Sequence, residues 1–309
     1  MRHGGRIFLL WYCPVTMRER SRILYRMNAL TPDRQAAVIR ALVEGNSLRS
    51  TSRMTGVARN TIASLLRDVG AHCKNHHDRF VRDLAPARVQ MDEIWSFCNK
   101  KEKNVPVEEK GQGHGDAWTW IALDPDSKLV ISYRTGSRDS VTGYAFVEDV
   151  ADRLTARVQI TSDGLPVYER AIRDIFDWTG PGVDYGRVVK IFGNSPGAGR
   201  YSPGRLLSVT REAVMGNPDE QHISTSLVER QNLSMRMSMR RFTRLTNAVS
   251  KKLEYHMYAI ALHYTYYNFC RTHGTLSKKA GTPSTPAMAA GLADAPWTIA
   301  DLLFLLQGN

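Results

Sequence analysis

Three acidic residues stand at positions where secondary structure could bring them together. Asp92 lies inside the strand-like stretch VQMDEIW, among strong strand formers that rarely tolerate an acid. Asp163 ends the stretch RVQITSD and is followed by a glycine, and Glu229 begins a long helical stretch. Carboxylates that converge in this way can bind divalent cations and act on a phosphodiester.

Three carboxylates in close contact repel one another, so the pKa of at least one rises unless cations neutralise the group. Hard oxygen ligands without a neighbouring histidine or cysteine cluster favour magnesium or manganese over zinc. The sequence therefore predicts that Asp92, Asp163 and Glu229 are catalytic residues and ligands of Mg²⁺ or Mn²⁺.

Each acid also has a simpler structural explanation. Asp92 could pair with a core arginine, Asp163 could belong to an ordinary turn, and Glu229 could satisfy a helix dipole. Glu93 is expected to face away from Asp92, on the surface or just behind the site. The joint placement of the three acids favours the metal site over these alternatives.

The elements that must position the acids follow from hydrophobic periodicity. The predicted order is strand 88–97, strand 117–124, strand 128–136, helix 140–155, strand 157–163, helix 165–176, strand 185–192, a Gly/Pro-rich insertion at about 192–221, and a long helical region. This is the order of a ribonuclease H-like α/β domain, of the retroviral-integrase type, here spanning residues 88–276. In that topology the first and fourth strands are neighbours and the last helix crosses them, so the three acids converge.

Basic residues follow Glu229. From Glu229 to Lys252 the chain has seven basic residues and that single acid. Arg236 lies two helical turns beyond Glu229 and shares its face, so it is expected to hold a phosphate near the metals. The arginines expected to clamp DNA through its backbone are Arg236, Arg240, Arg241 and Arg244.

Residues 27–74 are predicted to form a helix-turn-helix. Thr31 and Pro32 suit a helix start, Gly45 a stop, Ser47 a second cap and Gly56 the tight turn before a third helix from Ala58 to Val69. The alternative is a small helical bundle used for protein contacts.

In a helix-turn-helix the third helix lies in the major groove. Residues near its N-terminal end are expected to face bases: Arg59, Asn60, Thr61 and Ser64. Residues expected to reach phosphates are Arg49, Arg53 and Arg67.

Charge supports a polyanionic partner. Lys and Arg outnumber Asp and Glu by 42 to 30, and residues 1–91 hold 16 of those basic and 6 of those acidic residues, a local net charge of +10 out of +12. Such an asymmetry favours nucleic acid, here double-stranded DNA, over a membrane or a merely soluble basic surface.

The remaining segments set the expected boundaries. Residues 1–26 are interpreted as an ill-fitting leader that could precede the biological start, 75–87 as a linker, and 277–309 as a C-terminal tail with a short helix that docks on the core or on another subunit. The four cysteines are far apart, without a CxxC pair, which suits a reducing cytoplasm.

The chain resembles the bacterial DDE transposases of the insertion-sequence-one family. The segments that carry the resemblance are MNALTPDRQAAVIRALVEGNSLRSTSRMTGVARNTI, DEIWSFCNKKEKNVP, TSDGLPVY, HISTSLVERQNLSMRMSMRRFTRLTNA and TPAMAAGL. YNFCRTHGTL also looks like the signature that closes many integrase-type catalytic domains. The resemblance implies that the catalytic triad is Asp92, Asp163 and Glu229. A cysteine-rich zinc finger often precedes the helix-turn-helix in this family, and MRHGGRIFLLWYCPVTMRERSRILYR cannot form it with one cysteine.

The mechanism that the resemblance implies is two-metal DNA strand cleavage followed by strand transfer, a transesterification, at terminal inverted repeats. Holding both element ends together implies a homodimer or a larger assembly on the bacterial nucleoid. Two rivals stay open: a structure-specific nuclease on the same fold, and a catalytically inert helix-turn-helix DNA-binding protein.

Overall fold

Stretches rich in β-branched and aromatic residues form one mixed sheet in the computed structural model, which describes residues 30–178, 182–193, 204–243 and 248–307. The strands are β1 (Arg88–Cys98), β2 (Gly115–Leu123), β3 (Val130–Gly136), β4 (Val158–Asp163), β5 (Val183–Gly193) and β6 (Arg205–Met215). Their spatial order is β3-β2-β1-β4-β5-β6. β1 runs parallel to β4, and β4 parallel to β5, whereas the β1–β2, β2–β3 and β5–β6 pairs are antiparallel.

Helices precede, interrupt and follow the strands. They are α1 (Pro32–Val43), α2 (Leu48–Thr55), α3 (Arg59–Phe80), α4 (Ser140–Ala151), α5 (Pro166–Trp178), α6 (Ser226–Ser238), α7 (Leu253–Thr265), α8 (Gly274–Ala280), α9 (Pro286–Ala289) and α10 (Ile299–Phe304). The order of strands and helices from β1 to β5 is the predicted one. Among the described residues, no helix is both long enough and apolar enough to cross a membrane.

The two faces of the sheet bury separate apolar clusters. On one face, Ile94, Ile121 and Val130 pack with residues of five helices, α1, α3, α6, α7 and α10, and with the loop between α2 and α3. Met91, Trp120 and Ile160 pack with α4 and α5 on the other. Because successive side chains of a strand alternate between faces, β1 directs Asp92 toward α6 and Glu93 toward α5.

The region predicted to form a helix-turn-helix contains three helices, as expected. Ser47 accepts a hydrogen bond from the backbone N–H of Ser50 at 3.1 Å and so caps α2. Gly56 takes a left-handed conformation, with φ of 67°, where the chain turns into α3. Thr31 occupies the cap position of α1 but makes no side-chain capping bond, so its predicted capping role is wrong.

The third helix is longer than predicted. α3 continues past Val69 to Phe80, so residues 75–80 of the predicted linker are helical. Cys73 and His77 are buried there, and the ring Nε2 of His77 lies 3.2 Å from the carbonyl oxygen of Val130. Gly70 lets α3 approach α7 closely, since an added Cβ would lie 2.5 Å from Tyr258 Cβ. The predicted boundary at 75–87 therefore does not separate two cores.

The other predicted segments have mixed outcomes. In the C-terminal tail, Leu302 and Leu303 of α10 are buried in the cluster that contains α1 and α3, as expected for docking on the core. The described part of the insertion forms β6, which pairs with β5. The leader, residues 1–26, lies outside the described residues.

Candidate active site

Asp92 and Asp163 meet on neighbouring parallel strands. Gln90 of β1 is paired with Thr161 of β4, so two residues further along, Asp92 and Asp163 stand at the same level. Carboxylate oxygens of Asp92, Glu93 and Asp163 all lie within 4.8 Å of one another. Asp163 Oδ1 accepts a 3.0 Å bond from the backbone N–H of Leu165, which fixes the carboxylate at the end of its strand. This spacing lets the three carboxylates share a cation.

Two amide side chains attach α6 to β1. Gln90 Oε1 accepts hydrogen bonds from the backbone N–H groups of Leu227 and Val228 at 3.0 and 3.1 Å. These N–H groups belong to the first turn of α6 and have no partner within the helix. Asn232 Nδ2, one turn beyond Glu229, donates a 2.7 Å bond to Asp92 Oδ2. The register of α6 against β1 is thereby fixed at both ends of the turn that carries Glu229.

Glu229 lines the same cleft as the two aspartates. The cleft has a volume of about 490 Å³ and is also lined by Arg138 and Lys190. Glu229 does not join the group of oxygens within 4.8 Å, and its carboxylate instead binds the Lys190 ammonium and the Thr225 hydroxyl. Asp92 and Asp163 therefore have carboxylate oxygens within 4.8 Å of each other, and Glu229 lines the same cleft and is bound by Lys190.

The acids of the cleft affect one another's ionisation. Burial raises the pKa of Asp92 to about 7, with further contributions from the negative charges of Glu93, Asp163 and Glu229. The pKa of Glu93 is also raised, first by burial and then by Asp163, although the Arg138 guanidinium opposes the rise. The cleft carries more negative charge than its own cations neutralise, which favours a bound cation.

Glu93 lies just behind the site, which is one of its two expected positions, and not on the surface. Its side chain is 2% exposed, and Oε1 accepts a 2.7 Å bond from Arg138 Nε. Oε2 accepts a 3.0 Å bond from the hydroxyl of the buried Tyr168. Glu93 thus belongs to the site, on the α5 side of the sheet.

The basic residues after Glu229 divide into outward and inward groups. Arg236 is half-buried on α6, and Arg240 is exposed just beyond it. Arg241 Nη1 donates to Ser250 Oγ at 2.9 Å and to the carbonyl oxygen of Tyr255 at 3.2 Å, and burial lowers its pKa to about 10. Arg241 is therefore turned toward polar groups inside the fold, whereas its DNA-binding role stays a prediction. Arg244 lies outside the described residues.

The residues predicted to contact DNA from the helix-turn-helix lie on the surface. Exposed side chains are Arg49, Arg53, Arg59, Asn60, Ser64 and Arg67, and Thr61 is half-buried. Arg67 is paired with its neighbour Asp68 at 2.8 Å. Within the described part of the chain, six of these seven side chains are therefore accessible to solvent.

The sequence reasoning missed four residues of the site. Gln90 and Lys190 alternate with apolar residues in their strands, so each had the signature of an ordinary outward-facing polar residue. Asn232 follows Glu229 by three residues, and this helical spacing was the available signal. Arg138 precedes the cap of α4 in a loop and belongs to no recognisable motif.

The donor set fits magnesium or manganese. Among the described residues, the group within 4.8 Å contains carboxylates and neither histidine nor cysteine. Asn232 Oδ1 is buried without a hydrogen-bond partner in the described part of the chain, on the same amide that binds Asp92. The carboxylates close enough together to share a divalent ion are those of Asp92, Glu93 and Asp163, and Glu229 lines the same cleft.

Comparisons with known proteins give structural matches alone. No protein-family model matches the chain, and no curated protein matches it. The chain is similar to the Mos1 transposase paired-end complex with left transposon end, at 16% identity over 50% of this chain and 60% of that chain, with a TM-score of 0.23.

It is also similar to the piggyBac transposase synaptic complex with hairpin DNA, at 11% identity over 94% of this chain and 74% of that chain, with a TM-score of 0.38. A Mos1 mariner paired-end complex with Mn shares 15% identity over 48% of this chain and 57% of that chain, with a TM-score of 0.21. The chain thus spans about 60% of the length of the Mos1 protein. With TM-scores this low, the function has to be argued from the geometry of the site.

Proposed function

We propose that this chain is a DNA transposase of the DDE type that cuts and joins DNA strands with divalent cations. The observation that carries the proposal is the meeting of Asp92 and Asp163, within 4.8 Å of each other, in a cleft that Glu229 also lines. The sheet order β3-β2-β1-β4-β5, with α6 packed against β1, supports a ribonuclease H-like catalytic domain. The structures to which the chain is similar are transposases, two of them named as complexes with transposon or hairpin DNA.

Asp92 is the central ligand in this proposal. It lies between Asp163 on β4 and α6, which carries Glu229, and these three carboxylates would hold the ions. Bound Mg²⁺ or Mn²⁺, two ions in all, supplies a nucleophile at neutral pH and stabilises the leaving oxygen of an in-line displacement. The chain holds the ligands: Leu165 fixes Asp163, Asn232 orients Asp92, and Gln90 sets the register of α6.

Lys190 keeps Glu229 neutralised until a cation arrives. Its ammonium binds Glu229 in the cleft, where a divalent ion would compete for the same carboxylate. With Glu229 holding a divalent ion, Lys190 would be left facing the cleft, where its ammonium would be available to a phosphate.

The DNA partner is supported by charge and exposure. Arg59, Asn60 and Ser64 lie exposed at the start of α3, after a glycine turn, as base-reading residues of a helix-turn-helix would. Arg236 and Arg240 continue the positive surface beyond Glu229. We infer that terminal inverted repeats are read by α3, that the family is the insertion-sequence-one family, and that two or more copies assemble on paired ends in the bacterial cytoplasm.

The test is strand joining by the purified chain. Labelled duplexes taken from the DNA on either side of the gene are incubated with plasmid in Mg²⁺, and the expected result is covalent transfer of the labelled 3′ ends into the plasmid. Cutting without joining would favour a nuclease. Binding without cutting or joining, identical in the wild type and an Asp92→Ala variant, would favour an inert DNA-binding protein.

A further inference from the structure

Arg138 stands at the opening of the carboxylate cleft with a guanidinium held on two sides. Nε and Nη2 lie 2.7 and 2.6 Å from Glu93 Oε1, and the guanidinium stacks over the ring of Trp118 at 4.9 Å. A planar guanidinium bound along one edge and stacked on one face keeps few orientations. The donors that remain are therefore directed rather than mobile.

The backbone of Arg138 is fixed as well. The preceding carbonyl oxygen, of Ser137, accepts a 3.1 Å bond from the indole Nε1 of Trp120, whose side chain is buried. The following residue, Asp139, caps α4 by accepting a 2.8 Å bond from the backbone N–H of Thr142. The loop between β3 and α4 thus presents Arg138 from a rigid base.

The two partners of the ion pair differ in exposure. The side chain of Glu93 is 2% exposed, whereas that of Arg138 is 40% exposed and lines the cleft. Within the described residues, Nη1 of Arg138 has no hydrogen-bond partner, while Nη2 lies 4.0 Å from Asp163 Oδ2. Arg138 therefore has donors beyond those bound to Glu93, on a side chain that lines the cleft beside Asp163.

We propose that Arg138 binds a phosphate of the DNA strand being cut, next to Asp163, and that Glu93 and Trp118 are positioning residues that hold its guanidinium for that contact. The proposal rests on the proposed function and deepens it, because it names the group that meets the substrate. Phosphate is the chemistry that suits a fixed guanidinium fork in a cleft whose carboxylates would be occupied by cations.

The first measurement is the salt dependence of DNA binding, which needs no cleavage. Affinity for a labelled duplex in Ca²⁺ is measured by fluorescence anisotropy over a range of salt concentrations. Loss of one phosphate contact makes the slope of log K against log salt shallower by about one unit. We expect this for Arg138→Gln, and no change for the matched control Arg134→Gln, an exposed arginine of β3 outside the residues that line the cleft.

The second measurement separates phosphate binding from a structural role. Arg138→Gln leaves Glu93 buried without its partner, so the double variant Glu93→Gln/Arg138→Gln removes both charges together. We expect strand cleavage in Mg²⁺ to fall about 100-fold or more in both variants, as for loss of a transition-state donor. Recovery of cleavage in the double variant would show that Arg138 only neutralises Glu93, and would overturn the proposal.

The remaining outcomes separate a failure of the Arg138 proposal from a failure of the proposed function. A wild-type protein that cuts DNA, beside an Arg138→Gln variant with unchanged slope and rate, overturns this inference and leaves the proposed function standing. A wild-type protein that neither binds nor cuts duplex DNA overturns both. Arg138→Lys keeps the charge without the fork, and we expect it to restore the slope but not the cleavage rate.

Discussion

Asn232 Nδ2 donates a 2.7 Å hydrogen bond to Asp92 Oδ2 and so joins α6 to the central strand of the site. Glu229 lies one turn earlier on α6, and Gln90 binds the first turn of the same helix. The position of Glu229 relative to Asp92 therefore depends on these two amides.

Replacing Asn232 tests this link. Asn232→Leu removes the donor to a partly buried carboxylate, and a bond to a charged group contributes about 1.5–3 kcal/mol. We expect cleavage in Mg²⁺ to slow about 10-fold or more, and the pH at which the rate rises to shift upward because the pKa of Asp92 increases. Asn232→Asp also removes the amide and adds charge, so it should be slower still. An unchanged pH profile in Asn232→Leu would contradict the link.

The raised pKa of Asp92 predicts how stability depends on pH without metal. Between the usual value of 3.8 and the folded-state value of about 7, the folded chain binds more protons than the unfolded chain, so Asp92 lowers stability as pH rises through this window. In EDTA, Asp92→Asn should therefore raise the melting temperature at pH 8 and change it little near pH 4. Adding Mg²⁺ at pH 8 should stabilise the wild type more than the variant. Equal pH dependence of the two proteins would count against the raised pKa.

Lys190 should compete with divalent cations for Glu229. Lys190→Met frees this carboxylate and removes a positive charge from the cleft. Because a partly exposed ion pair is worth about 0.2–1 kcal/mol, we expect Mn²⁺ to bind about two- to five-fold more tightly, measured by titration calorimetry. Lys190→Arg keeps the charge and should bind Mn²⁺ like the wild type. Weaker Mn²⁺ binding by Lys190→Met would show that the lysine supports the metal site instead.

Two adjacent arginines should behave differently. Arg241 donates to Ser250 and to the backbone of Tyr255 inside the fold, so Arg241→Ala should destabilise the protein by about 1–3 kcal/mol. Arg240 is exposed, so Arg240→Ala should leave the melting temperature unchanged and weaken DNA binding uniformly across sequences. Thermal denaturation and duplex titration of both variants check this. The opposite pattern would mean that Arg241 faces the DNA.

The alternation of apolar and polar residues predicted most strands of the sheet, but it did not predict every residue of the carboxylate site. Asp92 and Asp163 were found because an acid among strand formers is conspicuous, and their adjacency follows from the β1–β4 pairing. Glu93 was expected on the surface or just behind the site because alternation turns it away from Asp92. The Glu93 side chain is buried because α5 covers that face of the sheet and because Tyr168 and Arg138 donate hydrogen bonds to its carboxylate oxygens. Hydrophobic periodicity in a sequence cannot predict such contacts.

Hydrophobic periodicity also failed to predict the end of α3 and the direction of Arg241. α3 was predicted to end at Val69 because the polar stretch after it breaks the apolar period. His77 is nevertheless buried, since its ring reaches the backbone of Val130 in the neighbouring sheet. Arg241 was predicted to belong to a basic surface because a sequence shows the charge of a side chain but not whether it points outward or into the fold. In both cases the deciding contact comes from an element distant in the chain.

The most direct test of the central claim compares two aspartates in one assay. Asp163→Asn removes a carboxylate of the 4.8 Å group, whereas Asp177→Asn changes an exposed aspartate of α5 outside the residues that line the cleft. The account predicts that Asp163→Asn abolishes transfer of labelled ends to plasmid in Mg²⁺ while end binding stays measurable, and that Asp177→Asn transfers ends like the wild type. Undiminished transfer by Asp163→Asn would contradict the account.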